Sequence, residues 1–266
     1  MKRKLGISCN CIKDEDPLNT LDMIKQVGFD CFFVSTGVEK SKINEIAVKG
    51  KKLGLDFEFI HAPFKNINNL FMPGMDYKGI MNGIKESIDA AAENNVPSVI
   101  THVSSGWNPP ELTDLALSRF DEIVNYAEQK GVTLAFENLR MIGNLAYLCD
   151  RYRNCDNVRF CYDNGHEYCY TKTVSWIDIF GRKIITTHIH DNFGRGEERV
   201  GDPDLHLLPF DGDFNYEKMI RKLDEYGYEG PLCLEISNKV KPEYLEMKPI
   251  DFIKTAFERI KKISEM

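Results

Sequence analysis

The sequence predicts an α/β fold, a parallel (β/α)8 barrel, with residues 1–266 forming one domain. Three observations carry that expectation. Short apolar runs of strand character alternate with helical patterns along the whole chain, as they do when helices wrap a parallel sheet. Several runs follow a glycine turn, and glycine just past a helix end supplies the left-handed cap. Where inward and outward positions can be told apart, the last inward residue of a run is polar, and barrels gather their chemistry at that end of the strands. The length fits, because such barrels take about 250 residues. No composition shift or Pro/Ser-rich linker marks a second domain.

The first strand-like run is 4–9, and the helical pattern 18–27 ends at Gly28-Phe29-Asp30. The run 30–35 leads to helix 39–53, closed by Gly54-Leu55-Asp56, and the run 56–61 ends in FIHA at His61. Helix 77–95 precedes the run 97–103, which holds VITHV and His102, and helix 111–130 ends at Gly131-Val132. In the fifth run, 132–138, side chains alternate between faces. Val132, Leu134 and Phe136 face the helices, while Thr133, Ala135 and Glu137 face the axis. In the sixth, 158–163, Val158, Phe160 and Tyr162 face out, and Arg159, Cys161 and Asp163 face in. The seventh, 184–190, carries His188 and His190 in TTHIHDN, and a long loop, 191–214, follows it. After helix 215–226 the turn Gly227-Tyr228-Glu229-Gly230-Pro231 opens the eighth run, 231–236. There Leu232, Leu234 and Ile236 face out, Cys233 and Glu235 face in, and helix 251–265 closes the chain.

Composition removes several function classes. Hydrophobic residues make up 42% and charged residues 28%, an ordinary globular balance in a chain long enough to build its core without staples. The net charge of −7 argues against a nucleic-acid partner, which calls for a basic face. The basic runs MKRK and RIKKI are short and read as solvated faces. Eight cysteines include no C-x-x-C pair and no disulfide framework, so a reduced, cytoplasmic compartment is expected. MKRKLGISCN has no apolar signal core, and no stretch reaches the ~20 apolar residues of a membrane span. P-loop, dinucleotide-fold and G-x-S-x-G patterns are absent.

The chemistry is concentrated in imidazoles and carboxylates. All six histidines lie in short motifs: FIHA (His61), VITHV (His102), CYDNGH (Asp163, His166), TTHIHDN (His188, His190) and DPDLH (Asp204, His206). Two further runs end in a carboxylate, TLAFEN at Glu137 and LCLEIS at Glu235. These are the usual ligands of zinc, manganese and cobalt. A ring of buried carboxylates is costly without a counter-charge, and the simplest one is a divalent metal ion. The plainer reading is a structural polar network at the barrel mouth.

Taken together, HAPF at 61–64, HIHDN, DPDLHLLPFDGDF and GYEGPLCLEIS at 227–237 resemble the xylose isomerase-like TIM barrel superfamily, over nearly the whole chain. That superfamily holds sugar and sugar-phosphate isomerases and epimerases, and the endonuclease IV enzymes. The epimerase branch implies one metal ion held by Glu137, Asp163, His188 and Glu235. The endonuclease IV branch adds His61, His102, His166, Asp204 and His206, for up to three ions. The resemblance thus implies a divalent-metal-dependent isomerase or epimerase of a sugar, sugar phosphate or polyol, with manganese, cobalt or zinc and a carbohydrate substrate. Glu137 and Glu235 would exchange a proton with the substrate through a metal-stabilised enediolate. The alternatives are a zinc phosphodiesterase acting on abasic DNA, a related dehydratase, and a non-catalytic sugar-binding barrel. A lysine beside the metals, on which xylose isomerases proper rely, has no clear counterpart, and related barrels imply a homo-oligomer.

The remaining candidates keep two readings each. His61 and His102 are metal ligands, donors to a substrate oxygen, or satisfied wall residues. His166 resembles a substrate-contacting position, and His190 is a pocket or a packing residue. Asp204 and His206 lie on a loop long enough to be functional. Trp107, in THVSSGWNPP, is a plate for a sugar ring or a loop anchor. Arg140, Arg195 and Arg199 meet a phosphate or sugar hydroxyls, or are solvated charges.

Overall fold

The computed structural model describes residues 3–196 and 202–266. Arg199, expected as a substrate-binding residue, lies outside the described residues. All eight expected strands form: β1 (Leu5–Ser8), β2 (Cys31–Val34), β3 (Asp56–His61), β4 (Ser98–Thr101), β5 (Thr133–Glu137), β6 (Val158–Asp163), β7 (Ile184–His188) and β8 (Leu232–Leu234). They form one sheet in the order β7-β6-β5-β4-β3-β2-β1-β8. The bridge Ile189–Leu234 joins the two ends of that order, so the sheet returns on itself as a (β/α)8 barrel.

The helices are α1 (Pro17–Val27), α2 (Lys40–Leu53), α3 (Tyr77–Asn94), α4 (Asp114–Gln129), α5 (Ile142–Arg151), α6 (Asn164–Tyr170), α7 (Trp176–Phe180), α8 (Tyr216–Glu225), α9 (Pro242–Glu246) and α10 (Pro249–Ser264). The glycines expected to end helices, Gly28, Gly54, Gly131 and Gly227, all have positive φ. At the other end of α1, Asp16 Oδ1 accepts from Leu18 N at 2.8 Å, with Pro17 in the first turn. Capping by an aspartate ahead of proline satisfies one open donor and presets the helical φ.

The structure differs from the expected boundaries in one consequential way. β4, β7 and β8 end sooner, so His102, His190 and Glu235 stand just past their strands. Backbone pairing nonetheless continues there, with Ile189 N donating to Cys233 O and Glu235 N to Ile189 O. The side chains of His190 and Glu235 therefore keep a strand-like placement.

Contacts divide the chain into two compact units. The first comprises Met1–Phe33, Glu45–Phe57 and Tyr162–Met266. In it Gly6 pairs with Cys31 on one side and Cys233 on the other. A β-carbon at Gly6 would lie 2.8 Å from both sulfurs, so the two thiols fill the space a third side chain would take. On the outer side, Phe29 meets Phe257 of α10 edge-on at 5.1 Å.

The second unit comprises Val34–Asn44 and Glu58–Cys161. Phe136 meets Phe120 of α4 edge-on at 6.2 Å, which puts Phe136 on the helix side and the next residue, Glu137, on the other. The chain after β3 forms a 3-10 turn, Ile67–Phe71. Arg119 of α4, buried, donates to the carbonyls of Asn69, Leu70 and Met72 at 2.9, 3.0 and 2.7 Å and to that of Gly74 at 3.4 Å. Its guanidinium lies 3.6 Å from the Tyr77 ring centroid. Carbonyl dipoles and a ring face thus surround this buried charge.

Candidate metal centre

In the second unit three side chains converge at the strand ends. Register pairs Thr101 with Phe136, which sets His102 level with Glu137, while His61, paired with Ile100, reaches them from the neighbouring strand. All three are buried. Glu137 Oε2 lies 3.2 Å from His61 Nε2 and 3.2 Å from His102 Nε2. The two imidazoles cross at 72°, and their potential ligand atoms and that of Glu137 lie within 4.8 Å of one another. Phe64, in the HAPF motif, stacks on His102 at 4.3 Å and 17°, leaving its own side chain part-exposed. Trp107 is 44% exposed, with the Arg140 guanidinium 4.8 Å from its ring.

The first unit gathers seven more. Asp163 ends β6 and caps α6, its Oδ1 accepting from His166 N at 2.6 Å. His188 ends β7, and its Nδ1 lies 3.7 Å from Asp163 Oδ2 and 3.4 Å from Glu235 Oε2. His190 Nε2 lies 3.2 and 3.3 Å from the two Asp163 oxygens. A β-carbon at Gly165 would lie 1.8 Å from His190 Cε1, so only glycine admits that ring. Asp204 Oδ2 lies 3.1 Å from both His166 Nε2 and His206 Nε2. His206 stacks on His190 at 4.1 Å and 18°. Potential ligand atoms of His166, Asp204 and His206 lie within 4.8 Å of one another, as do those of His190, His206 and Glu235.

Hydrogen bonding tests whether these clusters suit a cation. His61 Nδ1 lies 2.8 Å from Ala62 O, and His206 Nδ1 lies 2.8 Å from Glu235 O. A carbonyl only accepts, so each Nδ1 carries the proton. In the neutral ring each Nε2 then aims a lone pair at a carboxylate oxygen, Glu137 Oε2 for His61 and Asp204 Oδ2 for His206. Two acceptors at that distance need a positive charge between or beside them. Metal-binding histidines are held in the same way, one nitrogen on a carbonyl and the other on the ion. The same carboxylates also favour a proton on His206. Burial alone would lower its pKa, and Asp204, Glu235 and Asp163 push it up to about 10. Burial would likewise raise Asp204, but His206, His166 and His190 outweigh it and hold that carboxyl well below its usual range. Asp204 Oδ1 and His190 Nδ1, both buried, have no hydrogen-bond partner among the described residues. The donor set and these acceptor pairs fit a divalent cation.

The expected residues thus fall into two groups, His61, His102 and Glu137 in one unit and Asp163, His166, His188, His190, Asp204, His206 and Glu235 in the other. Arg195 is exposed. Sequence reasoning missed Gly165, Phe64 and Asp191. Gly165 stood between Asp163 and His166 in CYDNGH, where a small residue beside two candidate ligands was a usable signal. Asp191 stood in TTHIHDN directly after His190.

Comparison with known proteins supplies context. A family model described as a xylose isomerase-like TIM barrel matches residues 21–262. The uncharacterized protein y4fM of Sinorhizobium fredii is 31% identical over 166 residues, 57% of this chain and 51% of its own length. This chain therefore aligns with about half of that relative. A crystal structure of D-psicose 3-epimerase with D-tagatose, from Clostridium cellulolyticum H10, matches with a TM-score of 0.74 at 16% identity, covering 99% of this chain and 100% of that one. The IolI protein with a bound zinc atom matches with a TM-score of 0.75 at 18% identity, covering 98% of both chains. At such identities the likeness to solved structures carries the fold.

Proposed function

The chain belongs to the xylose isomerase-like TIM barrel family, and from that premise we propose that it is a divalent-metal-dependent isomerase or epimerase of a sugar, sugar phosphate or polyol. The observation that carries the metal requirement is the paired hold on His61 and His206, each with Nδ1 on a main-chain carbonyl and Nε2 facing a carboxylate oxygen. The likeness to a sugar epimerase supports the substrate class. In this reading Glu137, Asp163, His188 and Glu235 hold one zinc, manganese or cobalt ion. A divalent ion there supplies Lewis acidity, polarising neighbouring carbonyl and hydroxyl oxygens of a bound sugar.

The chain's own groups then move the proton. One of Glu137 and Glu235, as carboxylate, takes a proton from the carbon beside the carbonyl, and the other, as carboxylic acid, returns one to the opposite face. Epimerisation leaves the two protonation states exchanged, and exchange with water resets them. Return to the same face, at the neighbouring carbon, interconverts aldose and ketose. Positioned acid–base groups of this kind contribute about 10²–10⁴-fold. Burial of His61, His102 and Glu137 keeps water from competing for the proton.

A second reading, phosphodiester hydrolysis, is favoured by one observation. The clusters His61–His102–Glu137 and His166–Asp204–His206 offer ligand sets beyond the four residues above. Against it stands the net charge of −7. Metal content per chain, measured by plasma mass spectrometry on protein purified without added metal or chelator, separates the two. About one ion per chain, with solvent deuterium entering a sugar substrate, supports isomerisation. Near three zinc ions with cleavage of abasic DNA moves the assignment to the phosphodiesterase, and no metal uptake on titration ends both. Glu137→Gln and Glu235→Gln should each lower kcat by at least about 10²-fold. Turnover surviving both changes refutes the two-base mechanism. A cytoplasmic location is part of the same reading, supported by eight free cysteines.

A further inference from the structure

Asp191 directly follows His190, is buried, and turns its carboxylate toward main-chain donors. Its Oδ2 accepts from Phe210 N at 2.8 Å, and its Oδ1 accepts from Phe214 N at 3.1 Å and Asn192 N at 2.9 Å. Its backbone pairs with Leu207 in both directions at 2.9 Å, an antiparallel bridge. Both ends of the segment 207–214 are therefore tied to one residue, three positions past the end of β7. Gly212 closes the turn against it, because a β-carbon there would lie 2.4 Å from Asp191 Oδ1 and 2.3 Å from Asn192 O. A buried carboxylate is costly unless its oxygens are hydrogen-bonded, and charge-assisted bonds to N–H groups are the strong kind.

Leu207 is the residue after His206, so the main-chain bridge to Asp191 fixes where His206 ends. His206 itself has φ of 46°, a left-handed conformation that a side-chain-bearing residue keeps only when its surroundings impose it. On the far side, Arg259 Nη1 donates to Pro209 O at 2.7 Å and the Tyr244 hydroxyl to the Asp211 carboxylate. Those ties hold the middle of the segment but reach neither Leu207 nor His206.

We propose that Asp191 is the positioning residue that delivers Asp204 and His206 to His166, so that a ligand cluster depends on a carboxylate that is no ligand itself. This rests on the reading that His166, Asp204 and His206 bind an ion of their own, beyond the one assigned to Glu137, Asp163, His188 and Glu235. The test compares the wild-type chain with H206A, D191N and G212A, measuring zinc affinity by competition with a chromophoric chelator and the ions retained per chain after desalting. Thermal melts in excess chelator report folding separately from metal. H206A deletes a ligand and should lose one ion. D191N keeps the shape but turns one acceptor into a donor facing an N–H, and it should weaken that same ion about 10–100-fold, the usual effect of an outer-shell change. G212A presses on the carboxylate without altering charge and should do likewise, deciding the matter if D191N does not fold. Loss of the ion in H206A with full retention in D191N or G212A overturns the proposal. An unchanged ion count in H206A instead removes the metal reading of the cluster, and with it anything for Asp191 to position.

Discussion

At His61 and His206 one proton decides what the other side of the ring can do. A carbonyl 2.8 Å from Nδ1 takes the hydrogen, and the opposite nitrogen is left to face a carboxylate. Carboxylates and imidazoles were legible in the sequence because they end apolar runs. Which nitrogen faces which oxygen was not, because it depends on backbone atoms of Ala62 and Glu235 that any residue would supply. Gly165 makes a related point, since its role is to be absent beneath the His190 ring. Gly165→Ala should cost about 1–3 kcal/mol through overpacking. The same change should push His190 away from Asp163, where its Nε2 lies 3.2 Å from Oδ1. Denaturant unfolding and the His190 imidazole resonances by NMR check this, and an unmoved ring in a fully stable variant refutes it.

Among the elements, α4 and α5 are joined by a two-pronged ion pair. Arg151 Nε and Nη2 donate to the two Asp121 oxygens at 2.8 and 2.6 Å, and the Tyr152 hydroxyl adds a bond at 2.7 Å. The Arg151 bonds, with Tyr152 assisting against partial burial, lower the Asp121 pKa below its ordinary value. A carboxylate depressed in the folded state adds stability above its ordinary pKa and loses it as pH falls through the folded value. Arg151→Ala should therefore cost about 0.5–1 kcal/mol at pH 7, the range for a part-exposed pair. The gap to wild type should begin to narrow only below about pH 4 and close in stronger acid, once the pH passes the lowered Asp121 value. Urea titrations at both pH values measure it, and a gap that stays constant contradicts the assignment. Helix α5 carries little helical signal in the sequence, since its buried positions, Asn144, Leu145 and Leu148, make a short stripe with one polar member. The seven-residue α6 escaped for another reason, because it starts on the Asp163 cap with no intervening turn.

Over the whole molecule, the alternation of strands and helices was legible because apolar strand runs recur along the chain and four helices end at a glycine of positive φ, Gly28, Gly54, Gly131 and Gly227. The segment 202–214 was not, because its shape comes from Asp191, Arg259 and Tyr244, all outside it. Among the described residues no helix is long and apolar enough to cross a membrane. If residues 1–266 act as one domain, calorimetry should show a single transition whose calorimetric and van't Hoff enthalpies agree. Two resolved transitions would divide the chain into separately folding parts. Arg119 has a bearing on how such a chain changes over time. It grips the turn after β3 through the carbonyls of Asn69, Leu70, Met72 and Gly74, and every amino acid has a carbonyl. Exposed positions of that turn such as Met72 can therefore change while the grip stays closed, whereas the buried Ile67, Leu70 and Phe71 remain answerable to the core.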